Sequence, residues 1–444
     1  MDVADELCMT DPEQSTTMGR ARPRRAVASV TVANVLEWYD FAVYAFLMGV
    51  IAQVMFPVGD ATVALLLSAG TFGVGFLTRP VGAVVFGVLA DRRGRKLALL
   101  VTFALMGGAT LFIGLIPSYA AIGLAAPLLV VLARLLQGIA TGGVVGSATA
   151  LLTEHAPPRQ EGFYGSWQAA SQAGALLLGA LIAATVSAAL SPAQLQAWGW
   201  RVPFWASILV VPAGLYIRRR LDEPDAFVRQ ARAPSSPLRV LLRTQSGAVV
   251  RGFGITIIWT VATYFFFVYV PLYAHTLLGL PMATTLFSNS LALAVMLVVA
   301  PMAGALSDHL GRHRIMGSAA LAMVLLVVPG THVLLIHPQA TTLVLFQLVS
   351  AVLAALFIGP APAAIAELFP VGVRSSGVGV AYNLSVTVFG GFAPTIATAL
   401  VARTRNPLSP TWYVLACCGL SLMALLATAQ GPRRTTTNGG FHES

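Results

Sequence analysis

The sequence predicts an all-α membrane protein, twelve transmembrane helices in two pseudo-symmetric six-helix bundles, and three observations carry that prediction. Hydrophobic residues make up 57% of the 444 residues and charged residues only 10%, a composition suited to a chain whose solvent is the bilayer. No charged residue occurs between Lys96 and Arg134, between Arg251 and Asp308, or between Arg314 and Glu367. Each gap exceeds the roughly 20 residues that cross a bilayer, so each holds two crossings. The chain also repeats itself: GVLADRRGRK at 87–96 is echoed by GALSDHLGR at 304–312, and TEHAPPR at 153–159 by AELFPVGVR at 366–374. Asp91 and Asp308 lie 217 residues apart, Glu154 and Glu367 213. Two independent marks with nearly one offset, close to half the chain, indicate duplication.

The spans follow in order. The first, 26–54, begins after the basic cluster Arg20 to Arg25, and the second, 62–90, runs into the first charged hairpin. Pro117-Ser118-Tyr119 divides 97–116 from 122–152, and TEHAPPR separates the latter from 163–189. The sixth span, 201–217, ends in a stretch rich in Arg, Pro and Ser. Beyond it, Gly279-Leu280-Pro281 divides 250–274 from 283–306, and His337-Pro338-Gln339 divides 315–336 from 341–366. Spans 375–402 and 411–430 complete the set. Helix is required because hydrocarbon offers backbone groups no partner, and the short alternating strands of a barrel are absent. The expected domains are a cytoplasmic tail (1–25), an N-terminal bundle (26–217), a cytoplasmic linker (218–249), a C-terminal bundle (250–430) and a second tail (431–444).

The net charge of +10 is topological. With the N-terminus cytoplasmic, 21 of the 27 basic residues fall in cytoplasmic segments, which places both termini there and argues against nucleic acid as a partner. The first 19 residues hold five acids and no basic residue, unlike a cleavable signal peptide. Trp198, Trp200 and Trp412 are read as interface anchors. Cys8, Cys417 and Cys418 have neither metal nor disulfide spacing. The seven histidines are scattered, and no Ser-His-Asp or phosphate-loop arrangement occurs. The chain is therefore not expected to be an enzyme, and neither cofactor nor metal is expected.

Glu37 lies about 11 residues into the first span and Asp40 about 14, roughly 16 and 21 Å along a helix axis. Both are near mid-bilayer, on one face by their i, i+3 spacing, with Tyr44 one turn on. An ionised carboxylate there must be paired, hydrated or protonated, so both are candidates for proton coupling, a structural ion pair being the plainer alternative. Arg79 and Arg134 fall about 18 Å deep, and a planar guanidinium suits a carboxylate ligand better than an ammonium does. Gln168, Ser171 and Gln172 form a polar face on the fifth span, with Tyr264, Tyr382 and Asn383 opposite; these line a cavity or act as packing glue. Gly138, Gly142, Gly143 and Gly146 mark a packing interface. Asp91, Arg92, Arg95, Asp308 and Arg312, with Glu154, Glu367 and Arg374, sit at cytoplasmic helix ends, where ion pairs that break on rocking would latch the halves.

The two hairpin signatures resemble the major facilitator superfamily over nearly the whole chain. NVLEWYDF at 34–41, FLTRPVGAVVFG at 76–87, RLLQG at 134–138, SWQAASQ at 166–172 and WGWRVPF at 198–204 look like its metabolite–proton symporters. These motifs add Asn34 and Gln137 to the candidate substrate-binding residues. GFYGSWQAASQ at 162–172, VYVPLY at 268–273 and FGGFAPTIATALV at 389–401 are similar to the citrate and tricarballylate symporters, which implies carboxylate uptake. The chain departs from that pattern at Val144 or Val145, where symporters of this group commonly carry Glu, and at His275, where the citrate symporters carry a basic residue. The resemblance implies import of a small organic anion with protons by alternating access, acting as a monomer in the bacterial inner membrane. Uptake of a zwitterionic osmolyte such as a betaine, or drug efflux on the same fold, is the alternative.

Overall fold

Backbone groups in a bilayer find partners only within the chain. In the computed structural model, which describes residues 23–83, 85, 86, 95–209, 241 and 243–429, every regular element among those residues is a helix. In chain order they are α1 (Pro23–Phe46, continued by Met48–Met55), α2 (Ala61–Ala83), α3 (Arg95–Leu115), α4 (Ala125–Glu154), α5 (Glu161–Ala189) and α6 (Val202–Ala206). The second half holds α7 (Ser246–Thr276), α8 (Met282–Leu310), α9 (Arg312–Ile336), α10 (Ala340–Ala366), α11 (Arg374–Thr404) and α12 (Ser409–Ala429). All but α6 coincide with an expected span; of the expected 201–217 the described residues show only α6 and the turn after it, and the short helices Tyr119–Ile122 and Pro192–Ala197 lie in connections. Nine of the described helices are long and apolar enough to cross a membrane, ten when the two pieces of α1 count as one. The other two are α3, whose apolar part is Ala104–Leu115, and α6, followed by the short turn Ser207–Leu209. Asp91 and Arg92, the side chain of Arg95, Cys8, both tails and most of the 218–249 linker lie outside the described residues.

Three features differ from uniform straight spans. α1 bends by 64° between its two pieces. The Ser68 hydroxyl of α2 donates to the Met48 carbonyl at 3.0 Å, an intrusion of a side chain into the helix ladder of the kind that bends helices. α7 and α11 each contain a π-helical turn, Phe265–Tyr269 and Val386–Gly390. Pro271 and Pro394 explain them: each proline lacks an N–H and crowds the carbonyl four residues back, Phe267 and Gly390, inside the wider turn. The Phe267 carbonyl is used instead by the Asn289 side chain at 3.0 Å, and Tyr413 donates to the neighbouring Phe389 carbonyl. Trp198 and Trp412 are half exposed, but Trp200 is fully buried, its ring packed on Phe204 and under the Arg201 guanidinium. It is a core residue and not an interface anchor.

Glycines let the helix pairs approach. A Cβ on Gly138 would strike the Gly75 carbonyl and the Thr78 hydroxyl, and one on Gly142 the Arg79 carbonyl. The seam between α2 and α4 is thereby close enough for Thr78 to donate to the Leu135 carbonyl at 2.8 Å. α5 packs along α8 across the two halves. At the end that carries Glu154 and Asp308, called here the latch end, Gly146 of α4 lies against Ser375 and Gly379 of α11. Near the depth of the buried charges, Gly73 in the middle of α2 faces the Phe392 ring, and Thr387 donates to the Phe76 carbonyl at 3.0 Å. The two halves thus meet both at the latch end and beside the buried charges.

Candidate functional site

Three helices of the first half supply the charges. Glu37 and Asp40 of α1 are 2% and 1% exposed, Arg79 of α2 and Arg134 of α4 0%. Charges this deep are usually paired. Here, among the described residues, every salt bridge lies at the latch end, and neither arginine forms one with either acid. The guanidiniums rest on aromatic faces instead. Arg79 lies 4.5 Å from the ring centre of Phe76, 4.8 Å from Phe41 and 5.6 Å from Trp38. Arg134 lies 4.7 Å from Phe41, 4.7 Å from Tyr44 and 5.0 Å from Phe72. Away from water such a contact is worth about 2 kcal/mol, so the rings offset part of the desolvation without using up the N–H groups.

Those N–H groups are what the site has to offer. Arg134 donates to the Gln137 side chain at 2.7 Å and to the Phe72 carbonyl at 3.2 Å, while its Nε has no partner. None of the three Arg79 nitrogens makes one of normal geometry, although the Tyr382 hydroxyl lies beside the guanidinium. The carboxyl oxygens of Glu37 and Asp40 are also buried without a hydrogen bond; the Thr110 hydroxyl near Asp40 donates to the Met106 carbonyl at 3.1 Å and accepts from Gln137 at 2.6 Å. Buried polar groups are seldom left unmade because each costs about 1–3 kcal/mol. Donors and acceptors of both signs, unused at one depth, form a site able to bind an anion and to hold protons.

The other candidates surround this centre. The Tyr264 ring stands 5.5 Å from Phe76 and 5.9 Å from Phe72, with its hydroxyl unpartnered. Tyr382 packs on Trp259 at 5.0 Å, and Trp259 donates to Gln172 at 3.1 Å across the halves. Asn383 also crosses, donating to the Gly142 carbonyl at 2.8 Å. Asn34 pairs with Gln168 and donates to Ser171 at 2.7 Å, and Tyr44 donates to the Ser68 carbonyl at 3.1 Å. Gln137 buttresses Arg134. His275 is exposed at the far end of α7, its Nδ1 2.9 Å from the Leu280 carbonyl, away from the centre. The residues that sequence reasoning passed over are the rings Trp38, Phe41, Phe72 and Phe76. A signal for two existed: Phe76 and Phe72 precede Arg79 by three and seven residues, the helical period.

At the latch end, Asp308 accepts from the backbone N–H groups of Gly162 and Phe163 at 2.8 and 3.0 Å. It caps the first turn of α5 from the other half, where the helix dipole favours an anion. Arg312 joins Asp308, Glu161 and Glu367, and Arg374 reaches Glu154 at 3.3 Å. Ser147 and Ser375 meet at 3.3 Å beside them. All of these contacts except Asp308–Arg312 and Glu367–Arg312 link the first half to the second.

Comparison with known proteins settles the family. The sequence profile of the Major Facilitator Superfamily matches residues 30–394. The chain belongs to that superfamily. It is a multi-pass transporter of the bacterial inner membrane and not an enzyme. This major facilitator is 36% identical to the citrate-proton symporter of Salmonella typhi over 417 residues, 93% of this chain and 96% of that protein. It is 30% identical to the proline/betaine transporter of Escherichia coli (strain K12) over 439 residues, 95% and 87% of the two chains. The crystal structure of a D-xylose-proton symporter superposes with a TM-score of 0.72 at 17% identity, covering 92% of this chain and 97% of that one, which shows the shared fold.

Proposed function

We propose that this transporter imports a di- or tricarboxylate such as citrate together with protons, by alternating access. The observation that carries the reading is the pair of buried guanidiniums that share an aromatic ring, form no ion pair with either acid, and leave four of their six nitrogens unpartnered. The faces that would cage a quaternary ammonium already hold arginines, which weighs against a betaine. The resemblance to citrate-proton symporters at 36% identity supports the same choice.

Electrostatics supplies the coupling. With Glu37, Asp40, Arg79 and Arg134 all ionised the centre sums to zero, and each proton taken up by an acid adds one positive charge. At an effective dielectric of about 20, two unit charges 8 Å apart interact by about 2 kcal/mol, so protonation alone raises anion affinity by more than tenfold. Release of the anion then favours release of the proton. By the positive-inside rule the latch end faces the cytoplasm, and both termini lie there.

Asp308→Asn tests the latch. The change removes a charge that caps α5 and holds Arg312, interactions worth about 2 kcal/mol together, and so shifts the balance toward a state open at the latch end. The expected result is several-fold slower uptake with an unchanged substrate Kd and greater labelling of a cysteine placed at Ser375. A large loss of affinity at full turnover would sink the assignment.

The function itself is tested by counterflow of labelled citrate in proteoliposomes, with glycine betaine and a cationic drug as competitors. Citrate counterflow unaffected by betaine supports the carboxylate reading. Counterflow of betaine with none of citrate would replace it.

A further inference from the structure

We propose that Phe41 sets the gap between the two guanidiniums and thereby selects the length of the substrate, a role that rests on the carboxylate reading above. Arg79 and Arg134 lie 4.8 and 4.7 Å from the centre of this one ring, and Phe41 is the side chain that both of them contact. Their remaining aromatic partners are separate, Phe76 and Trp38 for the first and Tyr44 and Phe72 for the second. Two like charges in a poor dielectric repel. A ring whose faces are electron-rich attracts both and holds them at a fixed remove.

The ring is itself held: Phe41 is 1% exposed, with Phe76 at 5.1 Å and Trp38 at 6.4 Å. It has no proton to exchange and no hydrogen bond to make, so it acts on an anion only through the arginines. They are not equivalent. Arg134 is pinned by Gln137 and the Phe72 carbonyl, whereas the nitrogens of Arg79 form no hydrogen bond of normal geometry and have the Tyr382 hydroxyl of the other half beside them. One guanidinium is an anchor, the other a movable claw, and Phe41 is the spacer between them.

The guanidinium carbons are separated by no more than their two ring distances laid end to end. Each fork holds a carboxylate with N–H···O contacts of about 2.8 Å. A molecule carrying two carboxylates on a short aliphatic chain therefore bridges both forks, and a monocarboxylate engages one. Chain length is measured against the spacer.

The test is binding of acetate, malonate, succinate, glutarate, adipate, citrate and glycine betaine to the purified parent, Phe41→Tyr and Phe41→Leu proteins. The parent is expected to prefer one dicarboxylate over its neighbours by roughly tenfold per methylene. Phe41→Tyr, which keeps the ring, should retain that preference. Phe41→Leu should flatten it to within about threefold, with acetate weakened less than the preferred dicarboxylate, since a single-fork contact does not sense the gap. Phe41→Met, of similar volume, carries the same test if the leucine protein does not fold. Equal weakening of every ligand with the preference intact would reduce Phe41 to a packing residue and overturn the proposal. A parent that binds dicarboxylates without preference for length overturns it too, and leaves the carboxylate reading standing. A parent that binds betaine and none of the acids removes that reading and this inference together.

Discussion

Proteoliposomes carrying the double variant Glu37→Gln, Asp40→Asn are expected to lose all accumulation of substrate driven by an imposed pH step, while exchange of labelled for unlabelled substrate continues. The two acids are the only ones in the interior of any described span, and both are buried without a hydrogen bond. No other side chain there is placed to gain and lose a proton with the cycle. A pH difference of one unit contributes about 1.4 kcal/mol per coupled proton, so accumulation should fall by about tenfold for each proton uncoupled. Neutral amides of the same shape keep the packing, and exchange needs only binding and rocking. Of the single variants, at least one should uncouple. Concentrative uptake that survives in both singles and in the double would rule out Glu37 and Asp40 as the proton carriers.

The second large effect is on affinity. Arg79→Gln should weaken citrate by 100-fold or more, succinate by less, and glycine betaine by about threefold or less, because each ligand charge loses its attraction to the missing cation, about 2 kcal/mol at 8 Å. Arg134→Gln should show the same order with a smaller slope. Two of its donors are already engaged by Gln137 and the Phe72 carbonyl, so less of the guanidinium is available to the ligand. Isothermal titration of the three ligands reads both slopes directly. Equal weakening of all three by either variant would show that the arginine supports the fold and does not sense ligand charge.

Much of this was legible before any coordinates. Charge-free gaps and proline breaks place the nine or ten long apolar helices among the described residues, because a bilayer penalises charge over a length that the chain must respect. The bend of α1 was not, and the Ser68 hydroxyl that meets the Met48 carbonyl beside it comes from another helix. The π-turns were half legible: Pro271 and Pro394 announce an interruption, but no spacing within one helix shows that Asn289 of α8 takes the Phe267 carbonyl or that Tyr413 of α12 takes the Phe389 carbonyl next to Gly390. In the site, depth identified Glu37, Asp40, Arg79 and Arg134. Which way α2 and α4 turn about their axes decides whether an arginine meets a carboxylate or a ring, and no spacing within one helix encodes that. Trp200 was misplaced for a related reason, as a tryptophan at a helix end serves an interface or a core according to what Phe204 and Arg201 do beside it.

All four charges at mid-depth belong to α1, α2 and α4, while every Asp, Glu, Lys or Arg of α7 to α12 (Arg251, Asp308, Arg312, Arg314, Arg374 and Arg403) lies within six residues of a helix end. Seen from the membrane voltage, the second half is therefore electrically silent: its rocking moves no charge through the field. Moving one elementary charge through 100 mV is worth about 2.3 kcal/mol, and that work falls on the cargo. On the carboxylate reading, a trianion carried with three protons crosses without current, one carried with four brings in a positive charge, and the resting potential drives uptake only in the second case.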